Sequence, residues 1–348
     1  MADARLRSSA SVHLPAVDGA KAIGIVLVVF GHSPGMPALA VVLIFSFHMP
    51  LFFFLSGMLH GASRGTPAEV IRRKARTLLV PYLFFFCLSL AYWLATRNLG
   101  DRARKFEGVT VTDAIHGLFT GRSSDLFVNE PLWFLPCLFV CTALYVLLRR
   151  RLAPLTILGC ALAVVAAWNW TDGWATRLPW GLDIAWVAMI FYAAGDALRN
   201  SRWTLSSWPP RQVAMMLPLV LLVWLMAALR LGRVDLARAN FGDSLGLYLA
   251  TALLGIAMVL MVSRLVPSNA VLRWLSEHTL IIFPLHGLLM NFASGALKFM
   301  HLRDDWTDSH AWALVFFAWA MLACLPAAAL LTRRFPYLLG RRPTALNP

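Results

Sequence analysis

Three histidines lie inside or beside long apolar runs of this sequence. Imidazole is the side chain best suited to take a proton near neutral pH. The first follows Asp18-Gly19-Ala20-Lys21 and nine residues from Ala22 to Phe30, in Gly31-His32-Ser33. On a helix Asp18 and Lys21, three apart, share a face and can pair. Lys21 and His32 are eleven apart, about 16 Å along nearly the same helical face. They cannot touch, but they suit distant parts of one long ligand. A plainer reading makes Asp18 and Lys21 a snorkelling pair at a membrane boundary, with His32 a hydrogen-bonder at a helix end. His48, in Phe47-His48-Met49-Pro50, falls near the middle of a second apolar run. Pro50 is expected to kink that helix, and Ser56-Gly57 offers a thin patch for close helix approach. His286 follows Pro284-Leu285 and precedes Gly287 in a late run, while Glu277 and His278 are expected to cap that helix's inner end. For His48, a hydrogen bond to a neighbouring helix is the structural alternative.

Two further groups flank apolar runs. Arg72-Arg73-Lys74-Ala75-Arg76 precedes one; it can anchor anionic lipid heads or hold phosphates, which guanidinium groups fit as a fork. Glu130-Pro131-Leu132-Trp133-Phe134-Leu135-Pro136 opens another. Trp133 suits an interfacial belt or, at an opening shaped by two prolines, the face of a sugar ring.

The elements that must position these groups are membrane helices. Of the 348 residues 59% are hydrophobic and 14% charged, against roughly 25% charged in soluble domains. Apolar runs long enough to cross a bilayer fall at 17–36, 38–59, 78–95, 131–148, 154–170, 183–198, 212–230, 245–263, 279–297 and 311–331. These predict an all-α, polytopic bundle of about ten transmembrane helices in one domain, 1–348, since helices satisfy every backbone polar group in lipid. The shortest runs must extend into their flanks. With both termini cytoplasmic, nineteen Lys and Arg fall on the inner side and eleven on the outer, against four and twelve acids. That imbalance follows the positive-inside rule. The net charge of +14 is scattered between apolar runs, so nucleic acid is not the expected partner; lipid head groups are. The five cysteines fall within the runs without metal-ligand spacing, and read as small core residues. Arg5–Ser9 with Ala22–Phe30 has some signal-peptide character, but a second span starts within ten residues, so the segment is read as span one. The long outer loop, residues 96–130, is expected to fold against the bundle or serve as a lid.

Taken together, "VDGAKAIGIVLVVFGHS", "SFHMPLFFFLSGMLHG", "RRKARTLLVPYLFF", "PLWFLPCLF" and "SEHTLIIFPLH" resemble the membrane-bound acyltransferase 3 family. The similarity is to its fucose 4-O-acetylase-like and capsular or nodulation-factor O-acetyltransferase branch. The resemblance implies a multi-pass inner (plasma) membrane enzyme passing an acyl group, usually acetyl, from cytoplasmic acyl-CoA to a hydroxyl of a sugar, glycan or small acceptor. It puts the family's basic residue, ten-residue spacer and histidine on Lys21 and His32, its second-span histidine on His48, its basic patch on Arg73 and Arg76, its aromatic motif on Trp133 and its late histidine on His286. Many relatives carry Arg where this chain has Lys21, and Asn-Ser-Leu where it has Glu277-His278-Thr279.

Acyl transfer to an alcohol needs a base, a positioned thioester, oxyanion stabilisation and exclusion of water. His32 is the expected base, with His48 polarising the thioester carbonyl or assisting it. Asp18 is expected to support Lys21. Lys21, Arg73 and Arg76 are expected to hold the phosphates of acetyl-CoA or another acyl-CoA, and Trp133 and His286 the acceptor. Direct transfer is expected over an acyl-histidine intermediate, with no metal. A homo-oligomer is compatible with the sequence. The alternatives are a transporter or flippase for a glycan or small polar metabolite, which also uses polar groups in broken helices, and a non-enzymatic scaffold or sensor.

Overall fold

The computed structural model describes residues 15–62, 65–200, 208–300 and 309–340. The expected inner residues Asp3, Arg5, Arg7, Arg64, Arg202, Arg341 and Arg342 lie outside the described residues. Among those described, regular structure is helical: α1 (Pro15–Gly31), α2 (Ala38–Phe45), α3 (His48–Met58), α4 (Pro67–Thr96), α5 (Asp101–Lys105), α6 (Val111–Thr120), α7 (Phe134–Leu148), α8 (Pro154–Trp170), α9 (Leu182–Asn200), α10 (Pro210–Leu231), α11 (Leu245–Leu265), α12 (Ala270–Phe299) and α13 (His310–Arg334). Among the described residues eight helical stretches are long and apolar enough to cross a bilayer, and α8 is a shorter apolar helix. The chain is a multi-pass integral membrane protein. The peripheral helices α10 and α13 expose rows of leucine, with Met215 and Met226 also exposed on α10, as lipid-facing walls require. The most enclosed span is α9.

Three boundaries correct the sequence reading. The basic run Arg72–Arg76 does not precede its helix but lies within α4, which starts at Pro67 behind a capping box. There Thr66 Oγ1 accepts from the Glu69 N–H, and the Glu69 carboxylate accepts from the Thr66 N–H at 2.8 Å. Such a cap contributes about 1 kcal/mol, enough to extend a helix past its apolar part. Glu277 and His278 do not cap α12, which begins at Ala270 with the Asn269 side chain accepting from the Leu272 N–H at 2.9 Å. Nor does Pro50 kink its helix. The run breaks earlier, at Ser46-Phe47, and Pro50 occupies the first turn of α3, where its missing N–H would have had no intrahelical partner. Of the cysteines, all free, Cys137, Cys141 and Cys324 are buried while Cys87 and Cys160 are exposed.

Glycine sets the two contacts that place the site. Gly57 of α3 lies against the Tyr192 carbonyl of α9, and Gly195 of α9 against the Phe54 carbonyl of α3, each so close that a side chain would collide with backbone. The close approach expected at Ser56-Gly57 is thus made to α9, where small residues allow backbone-to-backbone packing. Gly255 of α11 receives the Phe47 ring, and any Cβ there would strike it. Phe47 also packs edge-on to Trp224 at 5.5 Å, so the α2–α3 break is clamped from two helices. The loop between α4 and α7 holds α5 and α6 and is tied to the bundle: Tyr82 donates to the Leu118 carbonyl at 2.7 Å, and Trp180 to the Phe119 carbonyl at 2.9 Å.

Candidate functional site

The α1 helix is built to carry polar groups at both ends and apolar ones between. Ala22, Ile25, Val28 and Val29 are fully buried, at the three- and four-residue spacing of one helical face. Its neighbour α12 runs in the same direction. Ser276 donates to Asp18 Oδ1 at 2.7 Å, and further along both helices the His286 and His32 rings stand 5.2 Å apart. Asp18 is thus held by a residue of α12 that the sequence did not single out. Lys21 belongs to the same end and is close enough to Lys74 of α4 for their charges to interact. Arg73 and Arg76 are exposed on that first part of α4, so Lys74, left unassigned in the sequence, completes a basic end of the bundle with Lys21. The roughly 16 Å between Lys21 and His32 runs along one continuous helix.

At the other end the three histidines meet. His48 opens α3 directly after the Phe47 clamp and is 6.3 Å, ring to ring, from His32. Phe45 fills the angle between them, 5.4 Å from His32 and 4.7 Å from His48. His48 and His286 are almost wholly buried, at 3% and 0% exposure. His32, by contrast, is exposed, so of the three rings it is the one an incoming molecule can reach.

The hydrogen bonds fix the rings' chemistry. His32 Nδ1 lies 2.8 Å from the Val28 carbonyl, His48 Nδ1 2.9 Å from the Ile44 carbonyl, and His286 Nδ1 2.6 Å from the Phe283 carbonyl. A carbonyl can only accept, so each Nδ1 carries the proton, and each neutral ring presents Nε2 as a bare lone pair. The Nε2 of His286 is buried without a partner, and such an atom is costly unless something donates to it. Three imidazoles held in one tautomer are equipped to accept protons, with main-chain oxygens doing the orienting that a carboxylate often does. Among the described residues no three His, Cys, Asp or Glu side chains are arranged to hold a metal ion.

Trp133 is buried within the turn Glu130–Trp133 and stands edge-on to Phe134. Phe134 meets Phe283 at 5.1 Å, and Phe283 meets His286 at 6.3 Å. Trp133 therefore lies two rings behind the histidines, as part of their wall. The sequence missed Asn129, whose buried amide donates to the Pro284 carbonyl at 2.8 Å and to Ser89 Oγ at 2.9 Å. It fastens the loop before α7 to α12 two residues from His286. Its only signal was a polar residue ahead of Pro131. Two apolar crevices, one lined by Trp168, Trp174, Leu182 and Trp186, contain none of the histidines.

Residues 14–330 match the family model described as an acyltransferase domain. No curated protein and no solved structure matches the chain.

Proposed function

Since this chain belongs to the acyltransferase family whose domain spans nearly its whole length, we propose that it transfers an acyl group, most simply acetyl, from cytoplasmic acyl-CoA to a hydroxyl of a sugar or glycan. The observation that carries the reading is the trio of imidazoles with bare Nε2 atoms, one of them on an exposed ring, at the far end of a helix whose beginning is basic.

In this reading His32 Nε2 accepts the acceptor's hydroxyl proton while the oxygen attacks the thioester carbonyl. The carbon–sulfur bond then breaks, and the leaving thiolate takes that proton back from His32. His48 assists His32 in orienting the acceptor; a neutral ring with its proton on Nδ1 has none on Nε2 to offer an oxyanion, so polarisation by His48 would require its charged form. His286 aligns the acceptor through its unpartnered Nε2, which accepts from a second hydroxyl of the sugar, and Trp133 keeps water from that wall. Lys21, supported by Asp18, and Arg73 and Arg76 hold phosphate groups, with Lys74 adding charge. A pantetheine arm then spans the length of α1 to His32. The protein sits in the inner (plasma) membrane with both termini cytoplasmic and about ten spans, as its charge imbalance supports. The loop at 96–130 covers the opposite mouth.

Membranes carrying the protein, given labelled acetyl-CoA and candidate glycans, should place label on an acceptor hydroxyl. His32→Ala should lower the rate by about 10²–10⁴-fold, whereas Leu219→Ala on the lipid face should not. Movement of a glycan across the membrane without covalent change would instead favour a transporter and sink the acyl-transfer reading.

A further inference from the structure

At the histidine end, one charged pair joins two segments distant in sequence. Arg238, in the loop between α10 and α11, donates to the Glu130 carboxylate at 2.8 Å. Both remain accessible, the side chains 57% and 45% exposed. An ion pair this exposed contributes about 0–1 kcal/mol to stability, so stability alone is a weak reason for it. Its backbone, by contrast, is held firmly. Arg177 is paired with the buried Asp183 of α9 and donates to the Ala237 carbonyl at 3.0 Å, next to Arg238. Arg238 is also within 3.7 Å of Asp235. On the other side Asn129, adjacent to Glu130, is bonded to Pro284, and Pro284 is two residues from His286, whose ring faces His32. Ser123 Oγ lies 3.4 Å from the same Glu130 oxygen. Exposed charged groups on rigid supports, in a segment fastened two residues from His286, are arranged like a recognition site.

We infer that Glu130 and Arg238 form the acceptor subsite and select a polyhydroxylated ring. In it the Glu130 carboxylate accepts from neighbouring hydroxyls of a sugar, and Arg238 donates to a hydroxyl or ring oxygen, leaving one further hydroxyl directed at His32. The inference rests on acyl transfer to a sugar as the reaction, and it names the residues that would read the acceptor rather than the donor.

The test is acetyl transfer to a panel of methyl hexopyranosides, with rates measured against sugar and acetyl-CoA separately. Glu130→Gln and Arg238→Gln should each raise the KM for the sugars about tenfold or more, the loss expected for one charged hydrogen bond of 1.5–3 kcal/mol, with the KM for acetyl-CoA within twofold of wild type. Glu130→Asp, which keeps the charge, should fall between, and covers the case in which a larger change fails to insert. The charge-swapped double variant Glu130→Arg with Arg238→Glu separates recognition from latching: recovery of wild-type kinetics would show that the pair only ties two loops together and would overturn the subsite. An unchanged sugar KM, or a fall in kcat alone, would overturn it too. Wild-type protein that binds acetyl-CoA but acylates none of the sugars would defeat transfer to a simple sugar ring, and the subsite with it.

Discussion

The two ends of α1 handle charge in opposite ways. At the Lys21 end basic side chains outnumber carboxylates, with Lys74 near Lys21 and Arg73 and Arg76 exposed beside them. At the His32 end the charges are nearly balanced and knitted together, as in Arg177–Asp183, Arg122–Asp125, Arg238–Glu130 and Lys298–Asp101. A surplus of positive charge creates a field that gathers a mobile anion from a distance. A neutralised, hydrogen-bonded rim has little long-range pull and instead fixes shape. The difference suits a donor that is multiply anionic and an acceptor recognised by its hydroxyls.

Reversing the charge at one end is the strongest way to break this contrast. Lys21→Glu should cost about a hundredfold in kcat/KM for acetyl-CoA, in line with the loss of a partly desolvated charge, while Lys21→Arg should keep most of the activity. An active Lys21→Glu protein would remove the charge requirement. Next in size, Gly255→Ala pushes a methyl group into the Phe47 ring. Overpacking of this kind costs about 1–3 kcal/mol, and because Phe47 holds the break before His48, kcat should fall along with the melting temperature in detergent. Full activity with a lowered melting point would separate Phe47 from the site. Arg73→Ala should act only on the donor side, raising the KM for acetyl-CoA several-fold with kcat preserved, as loss of one exposed charge-assisted contact implies. Unchanged affinity would return Arg73 to lipid anchoring.

The smallest effect belongs to the loop. Burial pushes the Asp125 carboxyl up, but hydrogen bonds from Thr120 and Ser124 and the Arg122 charge outweigh it, so its pKa lies below the ordinary aspartate value. A depressed pKa stabilises the folded state at pH values above the unfolded one, and the contribution disappears as pH falls through the folded value. Asp125→Asn should remove it at neutral pH. The side chain is partly exposed, so the change should stay below about 1 kcal/mol, visible as faster amide exchange over 96–133 and no change in the donor KM. Exchange that does not respond would assign the loop's order to Tyr82 and Asn129 instead.

Much of this was legible in the residues. Apolar runs and loop charges indicated a multi-pass helical protein, because a bilayer constrains length and composition more tightly than water does. That His32, His48 and His286 are each exceptional in an apolar setting was visible too. Their meeting was not, since it depends on which helices are neighbours: α1 beside α12 through Asp18–Ser276, and α3 set by the Phe47–Gly255 contact. Helix ends were misread where a side chain overrode hydropathy. Thr66 with Glu69 carries α4 back to Pro67, and Asn269 carries α12 back to Ala270. Asn129 and Lys74 were passed over because their importance comes from partners far along the chain.

The atoms that orient all three imidazoles belong to the peptide backbone: the oxygens of Val28, Ile44 and Phe283. Every residue type supplies that oxygen, so no point substitution at those three positions removes it, unlike the aspartate of a catalytic triad. The Val28 oxygen also receives the His32 amide at 3.2 Å, which makes the last turn of α1 and the setting of the His32 ring one object. Val28 is constrained by its buried packing rather than by this contact, but the turn cannot unwind without losing the ring's orientation.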